Sequence, residues 1–165
     1  MIQAIVTIGG IGRVRPAPGT WGSVAAVVLA LLLFQAGFAP AIPAIMIIAA
    51  ILGFWAVPKY TAERGDADPS EVVIDELAGQ LLALSFTTIP LWWHGVADLF
   101  TGAWLGWVVP FVLFRLFDIW KPWLVGRADR RGDAVGVMLD DLWAGMFAGI
   151  VAVFMAGLYH MAIAP

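Results

Sequence analysis

LAGQLLALSFTTIPL, residues 77–91, decides how the chain is arranged. It is the shortest of five apolar stretches and carries Gly79, Gln80, Ser85, Thr87 and Thr88 among its leucines. The others cover residues 21–38, 41–57, 96–114 and 142–163. A helix needs about 20 residues to cross a bilayer, and roughly 17 to 25 is the working range. Long apolar runs without strict alternation read as helices rather than strands. Suppose that residues 77–91 also cross. The N-terminus, the polar loop 58–76 and the polar loop 115–141 then share one face. Those three pieces hold all nine Lys and Arg, at Arg13, Arg15, Lys59, Arg64, Arg115, Lys121, Arg127, Arg130 and Arg131. The opposite turns, near residues 39–40 and 92–95, hold none. Basic loops stay on the cytoplasmic side, so this face is expected to be cytoplasmic. If residues 77–91 do not cross, Arg115 to Arg131 move to the far side and the pattern fails. The expectation is an all-α, polytopic membrane helix bundle with about five membrane segments, forming a single domain over residues 1–165.

Composition agrees with this reading. The chain is 62% hydrophobic with a mean hydropathy of +0.91, where a soluble domain is roughly 45–50% apolar. A net charge of -3 speaks against nucleic acid as a partner. With no cysteine there is no disulfide framework, no thiolate nucleophile and no thiolate metal site. Met1 to Gly12 lacks the basic start and small-residue cleavage site of a secretory leader. Six of the nine Trp (Trp21, Trp92, Trp93, Trp120, Trp123 and Trp143) fall near segment ends, where indoles settle at a bilayer interface. Trp104 and Trp107 read as packing residues inside a segment.

Eleven of the twelve acids lie on the basic face, Asp98 being the exception. Topology requires only the cations there, so the accumulation of both signs suggests a site. Two acidic pairs stand out, Asp75-Glu76 and Asp140-Asp141, each where a polar loop turns into an apolar segment and each followed by Ala-Gly. Carboxylates beside lipid are costly. One pair alone can be explained as a complement to a helix dipole. Two matching pairs suit one or two hard cations with oxygen ligands, Mg²⁺ first, with a phosphate opposite. Neighbouring helical residues point about 100° apart, so a pair converges best at a helix end or turn. The Ala and Gly residues would let the helices approach closely.

Two further stretches can serve phosphate. PGTWGS at 18–23 opens a segment with capping residues Thr20 and Ser23 and free backbone N–H groups, although alone it is an ordinary helix start. In RLFDIWKPW at 115–123, Arg115, Asp118 and, if the helix continues, Lys121 share a face. Pro122 ends or kinks that helix. Arg115 and Lys121 could clamp phosphoryl oxygens while Asp118 orients them or adds a ligand. An interfacial salt bridge is the plain alternative. Arg127, Arg130 and Arg131 can face anionic headgroups. His94 and His160 fall on the opposite face.

Taken in order, the glycine-rich lead-in at 7–12, PGTWGS at 18–23, VVIDELAGQ at 72–80, FRLFDIWKPW at 114–123 and GVMLDDLWAG at 136–145 resemble the phosphatidylglycerophosphatase A family over nearly the whole chain. The resemblance implies an all-helical, Mg²⁺-dependent lipid phosphatase of the bacterial inner membrane. Such an enzyme removes the terminal phosphate of phosphatidylglycerophosphate, a membrane phospholipid, to give phosphatidylglycerol. The expected site then has Asp75, Glu76, Asp140 and Asp141 as metal ligands and Arg115 and Lys121 on the phosphomonoester. Asp118 supports them or adds a ligand, and Thr20 and Ser23 bind phosphate. Attack by a metal-activated water and by a carboxylate, through an aspartyl phosphate, both stay open. Two other readings stay open. A CDP-alcohol phosphotransferase would need a spaced Asp-Gly-Ala-Arg-Gly-Asp pattern, which is absent, and a small cation transporter would place its acids nearer the midplane. A second copy of the chain is a further possible partner, with Asp98, Trp104 and Trp107 as contact candidates.

Overall fold

The computed structural model describes residues 1–100 and 103–163, and among them it is entirely helical. Short α1 (Ile2–Val6) and a single 3-10 turn (Ile11–Arg13) lead into α2 (Pro18–Gln35). The remaining helices are α3 (Ala41–Arg64), α4 (Ile74–Trp93), α5 (Leu105–Trp120), α6 (Trp123–Asp129) and α7 (Ala134–Ile163). Three of them, α2, α3 and α7, are long and apolar enough by themselves to cross a membrane. The other two expected segments form helices, but α5 has only 16 residues. α4 has 20 and is diluted by Asp75, Glu76, Gln80, Ser85, Thr87 and Thr88.

α4 occupies the centre, packed against α2, α3, α5 and α7. Its hydroxyl side chains are tolerable there because backbone carbonyls satisfy them, whereas Gln80 is fully buried with neither amide atom hydrogen-bonded among the described residues. Ser85 Oγ donates to the Leu81 carbonyl at 2.7 Å and Thr88 Oγ1 to the Leu84 carbonyl at 2.8 Å. Thr87 Oγ1 reaches the Gly106 carbonyl of α5 at 2.6 Å. Hydroxyls satisfied by backbone carbonyls escape the penalty of burying bare polar groups. The apolar surfaces that remain, such as Ile47, Ile51 and Phe54 on α3 and Ile150 and Phe154 on α7, face outward, as lipid-facing surfaces do.

Several boundaries differ from the sequence reading. α3 continues through Pro58 to Arg64, so the polar loop is shorter than 58–76. Burial of Val57, Tyr60 and Thr61 holds the extra turns in place despite the proline's missing N–H. Gly65, at φ 67°, then ends the helix in the left-handed conformation that glycine adopts at no cost. The segment expected at 96–114 becomes a connection followed by a helix from Leu105; its residues 101–102 lie outside the described residues. In that connection Asp98 Oδ1 accepts hydrogen bonds from Gln35 Nε2 at 2.9 Å and from the Phe100 N–H at 2.8 Å. Trp104 stands half exposed at the start of α5, not within a packed segment.

Candidate functional site

Asp75 and Glu76 fall in the first turn of α4, as expected. Asp140 and Asp141 do not begin a helix. α7 starts at Ala134, where Asp133 Oδ1 accepts the Gly136 N–H at 2.7 Å, and the second pair lies about two turns further on. A role as dipole complement, available to the first pair, is therefore closed to the second. Within a continuous helix the two side chains diverge by about 100°. Asp141 turns toward α4, where carboxylate oxygens of Asp75, Glu76 and Asp141 all lie within 4.8 Å of one another. Asp140 turns away and accepts a hydrogen bond from Lys121 Nζ at 2.8 Å.

Two glycines bring these carboxylates together. A Cβ on Gly79 would sit 2.5 Å from the Asp141 carbonyl oxygen, and one on Gly145 would overlap the Gly79 carbonyl oxygen. α4 and α7 thus cross backbone to backbone, at a separation open only to residues without side chains. On the other side of α4, a Cβ on Gly19 would overlap Glu76 Oε1 and stand 3.5 Å from Arg115 Nη1. The PGTWGS turn therefore lies directly over Glu76.

A cavity of about 160 Å³ opens at this end of the bundle. Among the described residues eight carboxyl side chains line it, from Asp68, Asp75, Glu76, Asp118, Asp129, Asp133, Asp140 and Asp141, against a single ammonium, Lys121. Lys121 sits just past the end of α5, so it does not share the helical face of Arg115 and Asp118 as the sequence suggested. It ion-pairs instead with Asp129 and Asp140. Burial pushes its pKa down, but the bonds to Asp129 and Asp140 outweigh this and raise it above the usual lysine value, so it stays charged. At the mouth, the Asp68 carboxyl is pushed up by desolvation although its side chain reaches the surface, with Lys121 opposing and neighbouring acids adding repulsion. The Asp133 carboxyl is held low by its hydrogen bonds from Arg131 and from the Gly136 N–H.

Three residues expected to bind substrate do not line this cavity. Arg115 Nη1 pairs with Asp118 Oδ2 at 2.8 Å, the intrahelical salt bridge that was the plain alternative, and donates to Ser23 Oγ at 3.3 Å. Ser23 is fully buried and gives its own proton to the Gly19 carbonyl at 3.0 Å. Thr20 is half-buried on the same turn. Arg115 thus braces Asp118 from behind and is itself held by Ser23. Conversely, Asp68, Asp129 and Asp133 line the cavity although none carried a motif; only their place in charged loops marked them.

The donor set fits a hard divalent cation. All three clustered ligands are carboxylates. Glu76 Oε2 and Asp141 Oδ1 are buried without a hydrogen-bond partner among the described residues. Bare buried carboxylate oxygens packed this closely are strongly unfavourable unless a cation joins them.

Residues 4–156 match the sequence profile of the phosphatidylglycerophosphatase A family. Among curated proteins, phosphatidylglycerophosphatase A of Haemophilus influenzae is 33% identical over 144 residues, covering 86% of this chain and 80% of that protein. A Bacteroides thetaiotaomicron protein, named provisionally as a phosphatidylinositol-3-phosphatase, is 35% identical over 140 residues, covering 82% and 80%. Phosphatidylglycerophosphatase A of Escherichia coli K12 is 27% identical over 149 residues, covering 88% and 78%. No solved structure matches. The acidic cavity, the glycine-mediated crossing that builds it and the profile match across almost the entire length agree: the chain belongs to the phosphatidylglycerophosphatase A family.

Proposed function

We propose that this protein hydrolyses the terminal phosphomonoester of phosphatidylglycerophosphate, releasing phosphatidylglycerol and phosphate, with Mg²⁺ as cofactor. Three carboxylates, two buried and one half-buried, converging on one acid-lined cavity in a chain of this family carry the reading. Eight carboxylates facing one ammonium would repel a phosphomonoester, so an anionic substrate requires added positive charge. Asp75, Glu76 and Asp141 would hold the metal. Bound there, Mg²⁺ supplies charge neutralisation and lowers the pKa of a coordinated water. Lys121 offers its ammonium to the phosphoryl oxygens and at the same time fixes the Asp140 carboxylate. Asp118, held in orientation by Arg115, faces the substrate, while Arg115 acts through it.

The finer topology is part of the proposal. α4 and α5 cross together with α2, α3 and α7, which gives five crossings with the site on the cytoplasmic face of the bacterial inner membrane. The distribution of Lys and Arg supports this orientation. The length of α7 fits a site at headgroup depth. Its 30 residues span about 45 Å against a hydrocarbon core of about 30 Å, so its first two turns can stand at headgroup depth.

The test is phosphate release from phosphatidylglycerophosphate by purified protein in detergent with Mg²⁺, then with a chelator. Phosphatidylinositol 3-phosphate runs in parallel because of the Bacteroides relative. Release from the first lipid that stops on chelation and returns with Mg²⁺ supports the proposal. Release from the phosphoinositide alone, or release indifferent to chelation, refutes the substrate or the cofactor respectively.

A further inference from the structure

α6 has two faces of different chemistry. Asp129 belongs to the cavity wall and binds Lys121. Val125, Gly126 and Ala128 are buried against the bundle. Trp123, Arg127 and Arg130, spaced i, i+4 and i+7, form one stripe on the outside. All three are exposed, Trp123 at 75%. Arg127 and Arg130 form no ion pair among the described residues, whereas Arg131 is held by Asp133. The backbone enforces this division. Lys121 and Trp123, on either side of Pro122, both adopt positive φ, at 53° and 44°. That conformation is costly for residues with side chains and sends the lysine inward and the tryptophan outward. The Trp123 ring is braced edge-on by Phe147, with centroids 6.0 Å apart.

An exposed indole beside two uncompensated guanidinium groups is the chemistry that meets a membrane at headgroup level: the ring enters the interface and the cations bind phosphate. We propose that the outward face of α6 is a docking surface for the anionic headgroups of the leaflet, and that this contact sets the cavity mouth at the depth of the lipid phosphates. One thin helix then separates the lipid surface from the catalytic carboxylates. The inference rests on the proposed lipid phosphatase activity for its purpose, though not for its test.

The experiment uses the whole protein in neutral-detergent micelles, titrated with phosphatidylserine or with phosphatidylcholine. The thermal midpoint is read first and phosphate release second. Phosphatidylserine should raise the midpoint and phosphatidylcholine should not. In the double variant Arg127→Gln/Arg130→Gln, the phosphatidylserine needed for half the effect should increase by about fivefold or more, each cation near a charged surface contributing of that order. Arg127→Lys/Arg130→Lys keeps the charge and should retain the response, which separates lost binding from a damaged fold. Release without added anionic lipid should be the same in all three proteins. An unchanged phosphatidylserine response in the glutamine variant, or a wild type indifferent to lipid charge, overturns the docking surface. Equal loss of release with and without anionic lipid also overturns it, since the arginines would then be serving the substrate itself. If the midpoints behave as expected but no protein releases phosphate, the docking surface stands and the enzymatic proposal falls.

Discussion

The two acidic pairs look alike as sequence and behave differently in the fold. Asp75-Glu76 opens α4, and both carboxylates join the same cluster. Asp140-Asp141 lies two turns into α7, and helical geometry divides it, Asp141 to the cluster and Asp140 to Lys121. The difference shows how one dipeptide can supply both a carboxylate of the cluster and the residue that fixes a neighbouring ammonium. It also separates a pair that a helix dipole could explain from one that it could not.

If this division is functional, five positions should differ in rank. Asp141→Asn removes a cluster carboxylate and should lower phosphate release by more than about a hundredfold, a loss exceeding that typical of groups that merely support a metal ligand. Asp140→Asn should fall within that supporting range, about 10- to 100-fold, and Mg²⁺ titration of the two variants should weaken for Asp141→Asn first. Equal losses and equal Mg²⁺ dependence would erase the distinction between the two aspartates.

The helix crossing comes next. Gly145→Ala places a methyl group against the Gly79 carbonyl and should cost about 1–3 kcal/mol of stability, besides reducing turnover, as Asp141 is moved away from α4. Gly157→Ala, on the same helix with open space around it, is the control and should leave both unchanged. A harmless Gly145→Ala would mean that the close crossing does not position the cluster.

Lys121 sharpens the comparison through pH. Because its folded pKa lies above the ordinary lysine value of 10.5, its bridge to Asp140 stabilises the fold fully below that value and is lost only as pH rises through the higher folded one. The difference in thermal midpoint between wild type and Lys121→Met should therefore persist up to about pH 10 and shrink above it. A difference that disappears nearer neutrality would show that Lys121 is not held by its two aspartates. The smallest effect is expected at Ser23. Ser23→Ala loses the bond to the Gly19 carbonyl and the longer one from Arg115, together about 1–2 kcal/mol of stability, and should change turnover less than about threefold. A loss comparable to that of Asp140→Asn would return PGTWGS to the role of a phosphate site.

Much of this molecule could be read from the residues in order. Apolar runs dictated helices because a backbone in lipid must satisfy its own hydrogen bonds. The acidic pairs with their Ala-Gly followers pointed to the residues that meet and to the glycines that let them. Other features could not be read. Nothing in residues 134–139 shows that α7 starts early enough to divide the second pair. Whether Lys121 continues a helix or leaves it depends on the backbone around Pro122. Asp68, Asp129 and Asp133 look like any solvated loop acids until the chain brings them to one cavity. Sequence alone determined helical class, membrane character and the identity of the acidic motifs, because these follow from composition and local spacing. Which carboxylate faces which neighbour was decided by the tertiary structure, because helix phase and crossing distance depend on packing between residues far apart in the chain.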